Sequence, residues 1–155
     1  MTDLGPFIRT TSDVPLVPFL GLTNQFTLPA EATGGALTLI DAGTIRKNFS
    51  PPLHHHLTEH EVFLVTSGVV DFACGDTRTT VEGSGAAFLP AGRPHSFRVV
   101  EDARIYVITV PSGAEPAGDF ERFVHDVSAA GGDLQAVAEL GERHRIPIVG
   151  PPLAE

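Results

Sequence analysis

The sequence predicts an all-β fold of the barrel or sandwich kind with short helices after it. Three observations carry that expectation. Sixteen Gly and 13 Pro are spread over 155 residues with no repeat or low-complexity tract, which cuts the chain into many short elements. The runs between these breaks are rich in Val, Ile, Phe and Thr, residues that suit a pleated, half-buried surface. Beyond Pro111 the apolar residues change to helical spacing.

Taken in order, residues 36–42, 61–66, 69–74, 77–81, 86–89, 95–100 and 103–110 read as strands. Ser67-Gly68 and Gly75-Asp76 look like tight turns joining antiparallel neighbours into hairpins. The run Val62-Phe63-Leu64-Val65 is apolar on both faces, so its outer face needs a cover, and a homodimer is expected. Asp119 is placed to cap a helix over 120–127, and Asp133 another over 134–145. Phe120, Phe123 and Val124 should pack the first of these on the barrel wall. Pro147, Pro151 and Pro152 then impose an extended tail. A single domain is expected, with an arm and first strands in 1–35, a barrel core in 36–110 and a helical appendage in 111–155.

Composition narrows the function classes. Hydrophobic residues make up 42% and charged residues 19%, the balance of an ordinary globular chain. A domain of this size buries roughly two-thirds of its unfolded surface and needs no covalent staple. The net charge of −9 repels phosphate backbones and anionic lipid, and no segment gathers the Lys and Arg that nucleic acid requires. A small-molecule partner is expected instead. Cys74 alone cannot form an internal disulfide, the stretch from Met1 to Thr11 lacks the apolar core of a targeting signal, and no apolar run is long enough for a bilayer. These readings point to the cytoplasm and away from a membrane.

Residues 54–61 read His-His-His-Leu-Thr-Glu-His-Glu and hold four of the seven histidines. On a strand, side chains alternate, so His54 and His56 share one face and His55 takes the other. Glu61 lies at an odd offset from His56, so the chain must bend at residues 57–60 to bring its carboxylate back to the imidazoles. Two neutral imidazoles and a carboxylate suit divalent Fe, Ni, Mn, Co, Cu or Zn. His95, set after the rigid turn of residues 90–94 and on the same face as Phe97 and Val99, supplies a fourth ligand.

These residues resemble the cupin superfamily, whose first motif is Gly-x5-His-x-His-x3-4-Glu-x6-Gly and whose second is Gly-x5-Pro-x-Gly-x2-His-x3-Asn. His54, His56, Glu61 and Gly68 match the first, and Pro90, Gly92 and His95 match the second in register. Asn48 stands in place of the first opening Gly, Gly83 and Gly85 flank Ser84 where the second should open, and Val99 replaces the final Asn. The resemblance implies a double-stranded β-helix, or jelly-roll, barrel. More loosely, Pro51-Pro52-Leu53, the stretch 120–123 and the ending 146–152 are similar to quercetin dioxygenase-like single cupins.

The resemblance implies that a substrate hydroxyl or enolate binds at the open side of the metal, that Glu61 is both ligand and general base, and that dioxygen attacks the activated substrate. Phe63, Phe72, Phe88, Phe97, Tyr106 and Ile108 are candidates to line an apolar substrate cavity. A metal-dependent isomerase, cyclase or lyase, or a non-catalytic small-molecule-binding cupin, are the competing functions. His55 and His60 are expected outside the ligand set, Arg104 paired with an acid such as Asp102, and Cys74 structural.

Overall fold

The computed structural model describes residues 3–155; Met1 and Thr2, which open the segment read for a targeting signal, lie outside them. The strands are β1 (Val17–Phe19), β2 (Leu22–Leu28), β3 (Thr38–Ile45), β4 (Pro52–His54), β5 (Glu59–Cys74), β6 (Thr77–Glu82), β7 (Gly85–Leu89), β8 (His95–Pro111) and β9 (Ile148–Pro152). All pair antiparallel in one sheet ordered β1-β2-β3-β8-β4-β9, with β5 against β8 on one edge and β6 and β7 on the other. The sheet encloses the apolar core, and the all-β expectation with two short helices holds.

Two long strands organise this sheet. β5 runs beside β8 from Glu59 opposite Pro111 to Cys74 opposite His95. Ser67-Gly68 is therefore not a hairpin turn but an irregularity within β5, where the register slips between Val65 and Val70. Gly68 has φ 95°, and a Cβ there would meet the Asp102 carbonyl oxygen at 2.3 Å, so the corner needs a glycine. The slip changes which residues face inward: Glu61, Phe63 and Val65 are buried before it, Val70 and Phe72 after it. Gly75-Asp76 does form the expected hairpin, closing Cys74 against Thr77.

The core is tied by rings. Phe63, Phe72 and Phe97 meet with centroids 5.2 to 6.1 Å apart, contacts worth about 0.5–1.5 kcal/mol each beyond burial. Helices α1 (Asp119–Ala129) and α2 (Leu134–Arg143) follow. Phe123, Val124 and Val127 are buried, and the Phe123 ring meets Phe19 of β1 edge-on at 5.6 Å, so the apolar stripe packs on the barrel. Asp133 caps α2, accepting from the backbone N–H of Gln135 at 2.7 Å. Asp119 does not cap α1: the cap position is Gly118, and the orphan N–H groups of Gly118 and Phe120 donate to the distant carboxylate of Glu59. The tail is more than extended, since β9 pairs with β4 and sets Ile148 opposite His54. No helix among the described residues is long and apolar enough to cross a membrane.

Candidate metal centre

Three short stretches meet at one end of the core. β4 ends at His54, but its alternation persists because the backbone N–H groups of His55 and Leu57 donate to Pro147 and Arg145. The corner at Leu57-Thr58 then leads into β5, where Glu61 faces inward with Glu59 and Phe63. The 90–94 turn is seated by the Gly92 N–H donating to the His56 carbonyl at 2.7 Å, and β8 starts with His95 directly opposite His54. One ligand atom from each of His54, His56, Glu61 and His95 lies within 4.8 Å of the others. The motif departure at Asn48 is also accounted for: it adopts φ 73°, a conformation Asn tolerates, and its N–H donates to Val99.

The hydrogen bonds prepare these groups for a cation. His54 Nδ1 donates to the Pro52 carbonyl at 2.7 Å and His95 Nδ1 to the Arg93 carbonyl at 3.0 Å, a tautomer assigned from the fact that a carbonyl only accepts. Each Nε2 is thus left with its lone pair. His95 Nε2 nevertheless lies 2.7 Å from Glu61 Oε2, and His56 Nε2 3.2 Å from the same oxygen. Acceptors this close repel unless a proton or metal ion lies among them. His56 is buried, and neither ring nitrogen has a hydrogen-bond partner. The donor set, three imidazoles and a carboxylate, is one that divalent transition metals take, so the cluster is able to hold a metal ion.

The electrostatics agree. Burial, then the neighbouring His56 and His95, pushes the His54 imidazole down to about 3, against the pull of Glu61, so it is neutral and ligand-competent near neutral pH. Burial opposes charge on both His56 and Glu61, but their mutual attraction outweighs it, raising His56 and holding Glu61 well below the usual carboxylate range.

His54, Glu61 and His95 open onto an apolar cavity, walled by Phe63, Phe97, Phe49 and Val107 from the barrel and by Phe120 and Ile146 from the C-terminal segment. Its volume is about 70 Å³, so only a small part of a ligand reaches the imidazoles. Of the six apolar residues expected to line it, Phe63 and Phe97 do so. The other four do not. Phe72 lies behind them in the core, on the far side of the Gly68 slip. Phe88 is 58% exposed on β7, paired with the outward-facing Val62. Tyr106 and Ile108 flank the inward Val107 on β8 and so point to the outer face.

His60 lies outside the cluster, its Nδ1 accepting from the Ala91 N–H at 3.0 Å, and His55 is likewise absent from it. Arg104 pairs with Asp41 at 2.7 Å rather than with Asp102, which instead takes Arg46 and the Lys47 N–H. Burial pushes the Cys74 thiol up, which suits a structural role. Sequence reasoning missed Asn24, Phe49, Phe120 and Ile146 as lining residues; only Phe120, in the helical stripe, carried a local signal, and it was read as packing.

A curled antiparallel sheet with this cluster facing an apolar cavity defines a cupin-type β-barrel domain. The family model of the AraC-like ligand binding domain matches residues 34–116, and the chain belongs to that family. Among solved structures it is similar to the polyketide cyclase RemF of Streptomyces resistomycificus, with 22% identity, TM-score 0.55, and 72% of this chain and 83% of the other covered. It is also similar to a predicted oxalate decarboxylase of Thermotoga maritima, at 15% identity and TM-score 0.56, covering 68% and 99% of the two chains. The Cnp3 cupin domain of Schizosaccharomyces pombe shares 14% identity at TM-score 0.55, with 66% and 72% covered. These likenesses show the fold. No curated protein sequence matches the chain.

Proposed function

We propose that this protein is a metal-dependent enzyme acting on a small, flat, mostly apolar molecule that carries a hydroxyl or enolisable oxygen, in a dioxygenase-like reaction. One observation carries the reading: Glu61 and two of the three clustered imidazoles line the same small apolar cavity. A divalent metal (Fe, Ni, Mn, Co, Cu or Zn) held by His54, His56, Glu61 and His95 would supply the Lewis acidity that makes a substrate hydroxyl easier to deprotonate. The chain's own groups do the rest. The closest imidazole contacts both fall on Glu61 Oε2, which leaves Oε1 to accept the substrate proton. Phe63, Phe97 and Phe49 hold the apolar body and keep water from the reacting end.

A second reading keeps the same proton transfer but consumes no dioxygen, giving isomerisation, cyclisation or elimination. It is favoured by the fact that proton removal by Glu61 needs no oxidant, and a polyketide cyclase shares the fold. Dioxygen uptake by the Fe-, Ni-, Mn- and Co-loaded protein across flavonols, catechols and enols tests the two. Uptake with turnover supports the first reading, turnover without uptake the second, and binding without turnover would reduce the protein to a ligand-binding domain. Glu61→Gln should abolish turnover more completely than metal retention; equal loss of both would count against the base role.

A further inference from the structure

One polar side chain faces this cavity without belonging to the cluster or to any hydrogen-bond network. Asn24 lies on β2, with Phe26 on the same buried face, and is 5% exposed. Its backbone pairs with Val17, but among the described residues its carboxamide has no hydrogen-bond partner. Its neighbours along the wall are Phe19, Leu22, Ile40 and Ala42, which offer no side-chain polar group. Among the described residues, fully enclosed side-chain polar atoms without a partner occur at Thr27, His55 and His56 but not at Asn24. Its amide therefore keeps access to water until a ligand fills the cavity, and only then does an unmatched amide cost about 1–3 kcal/mol. The cavity lining thus carries two polar elements: the His-Glu cluster from β4, β5 and β8, and Asn24 from β2.

We infer that Asn24 is a specificity-determining residue, whose carboxamide hydrogen-bonds a second oxygen on a ligand that presents its first oxygen to the metal cluster. The inference rests on the proposed reading of the site and deepens it: the preferred ligand is a flat molecule bearing two oxygens, one for the cluster and one for Asn24. Asn offers an acceptor and two donors, so a far hydroxyl or a far ether or carbonyl oxygen are both accommodated. A molecule lacking that oxygen leaves the amide buried and unpaired, and is disfavoured for that reason.

The test uses the Zn-loaded full chain under anaerobic conditions, with phenol, hydroquinone and hydroquinone monomethyl ether as probes, and the corresponding para-biphenols to place the second oxygen one ring further away. Titration calorimetry reads the affinities. In at least one series the wild type should bind the two-oxygen members roughly 3- to 10-fold more tightly than the one-oxygen member, the worth of one hydrogen bond. Asn24→Leu should erase that preference while leaving the one-oxygen affinity unchanged or improved. Should the Leu variant fail to fold, Asn24→Asp decides: its ionised carboxylate accepts but cannot donate, so it should reject the methyl ether and keep the dihydroxy probe. A preference that survives in the variants, or a loss equal for all probes, overturns the role of Asn24 and leaves the site reading standing. Failure of the metal-loaded wild type to bind any probe overturns the site reading, and this inference with it.

Discussion

The carboxylate of Glu59 accepts the backbone N–H of Phe120 at 2.8 Å, across 61 positions of sequence, and the Phe120 ring lies 5.2 Å from that of His56. Glu59 also takes the N–H of Gly118 at 2.6 Å and the hydroxyl of Thr109 at 3.1 Å. A buried acid on the strand that carries Glu61 thus caps α1 and fixes one wall of the cavity. Glu59→Ala should lower stability by about 2–4 kcal/mol, since three donors lose their acceptor, as measured by urea unfolding. Hydrogen exchange should rise first in the opening turn of α1.

Asp119 provides the pH-dependent part of the same joint. Burial opposes its ionisation, but hydrogen bonds from Thr58, Arg122 and Arg145 outweigh that and hold its carboxyl below the usual range. A depressed folded value means stabilisation that is complete above the unfolded value of about 4 and lost as pH falls through the folded one. Asp119→Asn should therefore cost roughly 1–3 kcal/mol at neutral pH, and the gap to the wild type should close in strong acid. Unfolding curves at several pH values check this.

Gly68 is the pivot of β5. Gly68→Ala would place a Cβ against the Asp102 carbonyl in a left-handed backbone and should cost about 2–4 kcal/mol. Gly75→Ala, at a turn where a Cβ meets nothing within 4 Å, should cost about 1–2 kcal/mol from backbone strain alone. Thermal unfolding of the two variants separates packing from strain.

The outer face of the sheet bears on assembly. Leu64 and Phe88 are exposed there, and the homodimer expected from the sequence remains our proposal for what covers them. Sedimentation should give a dimer for the wild type and a monomer for Phe88→Glu; a monomeric wild type would end the proposal.

What the sequence disclosed follows from how local each signal is. His54, His56, Glu61 and His95 were legible because strand alternation and a forced corner are local rules, and the structure brings these four together. Glu59 as the cap of α1 was not legible, since its partners lie some 60 positions away and Asp119 was the nearer acid. Ser67-Gly68 has turn chemistry, but its pairing with the β8 corner keeps it in one strand. Tyr106 and Ile108 went to the wrong face because a strand apolar on both sides does not announce its parity. Asn24 had no signal of its own, for Leu22–Leu28 mixes polar and apolar residues, and the strands expected within residues 1–35 had no bounds or inward face assigned.

The most direct measurement is metal content. Metal-stripped protein titrated with Zn or Ni should bind one ion per chain, and Ala replacement of His54, His56, Glu61 or His95 should each weaken binding by at least about tenfold. The control His60→Ala should bind like the wild type. Full metal binding by all four variants would contradict the account, because the converging imidazoles and carboxylate would then be holding nothing.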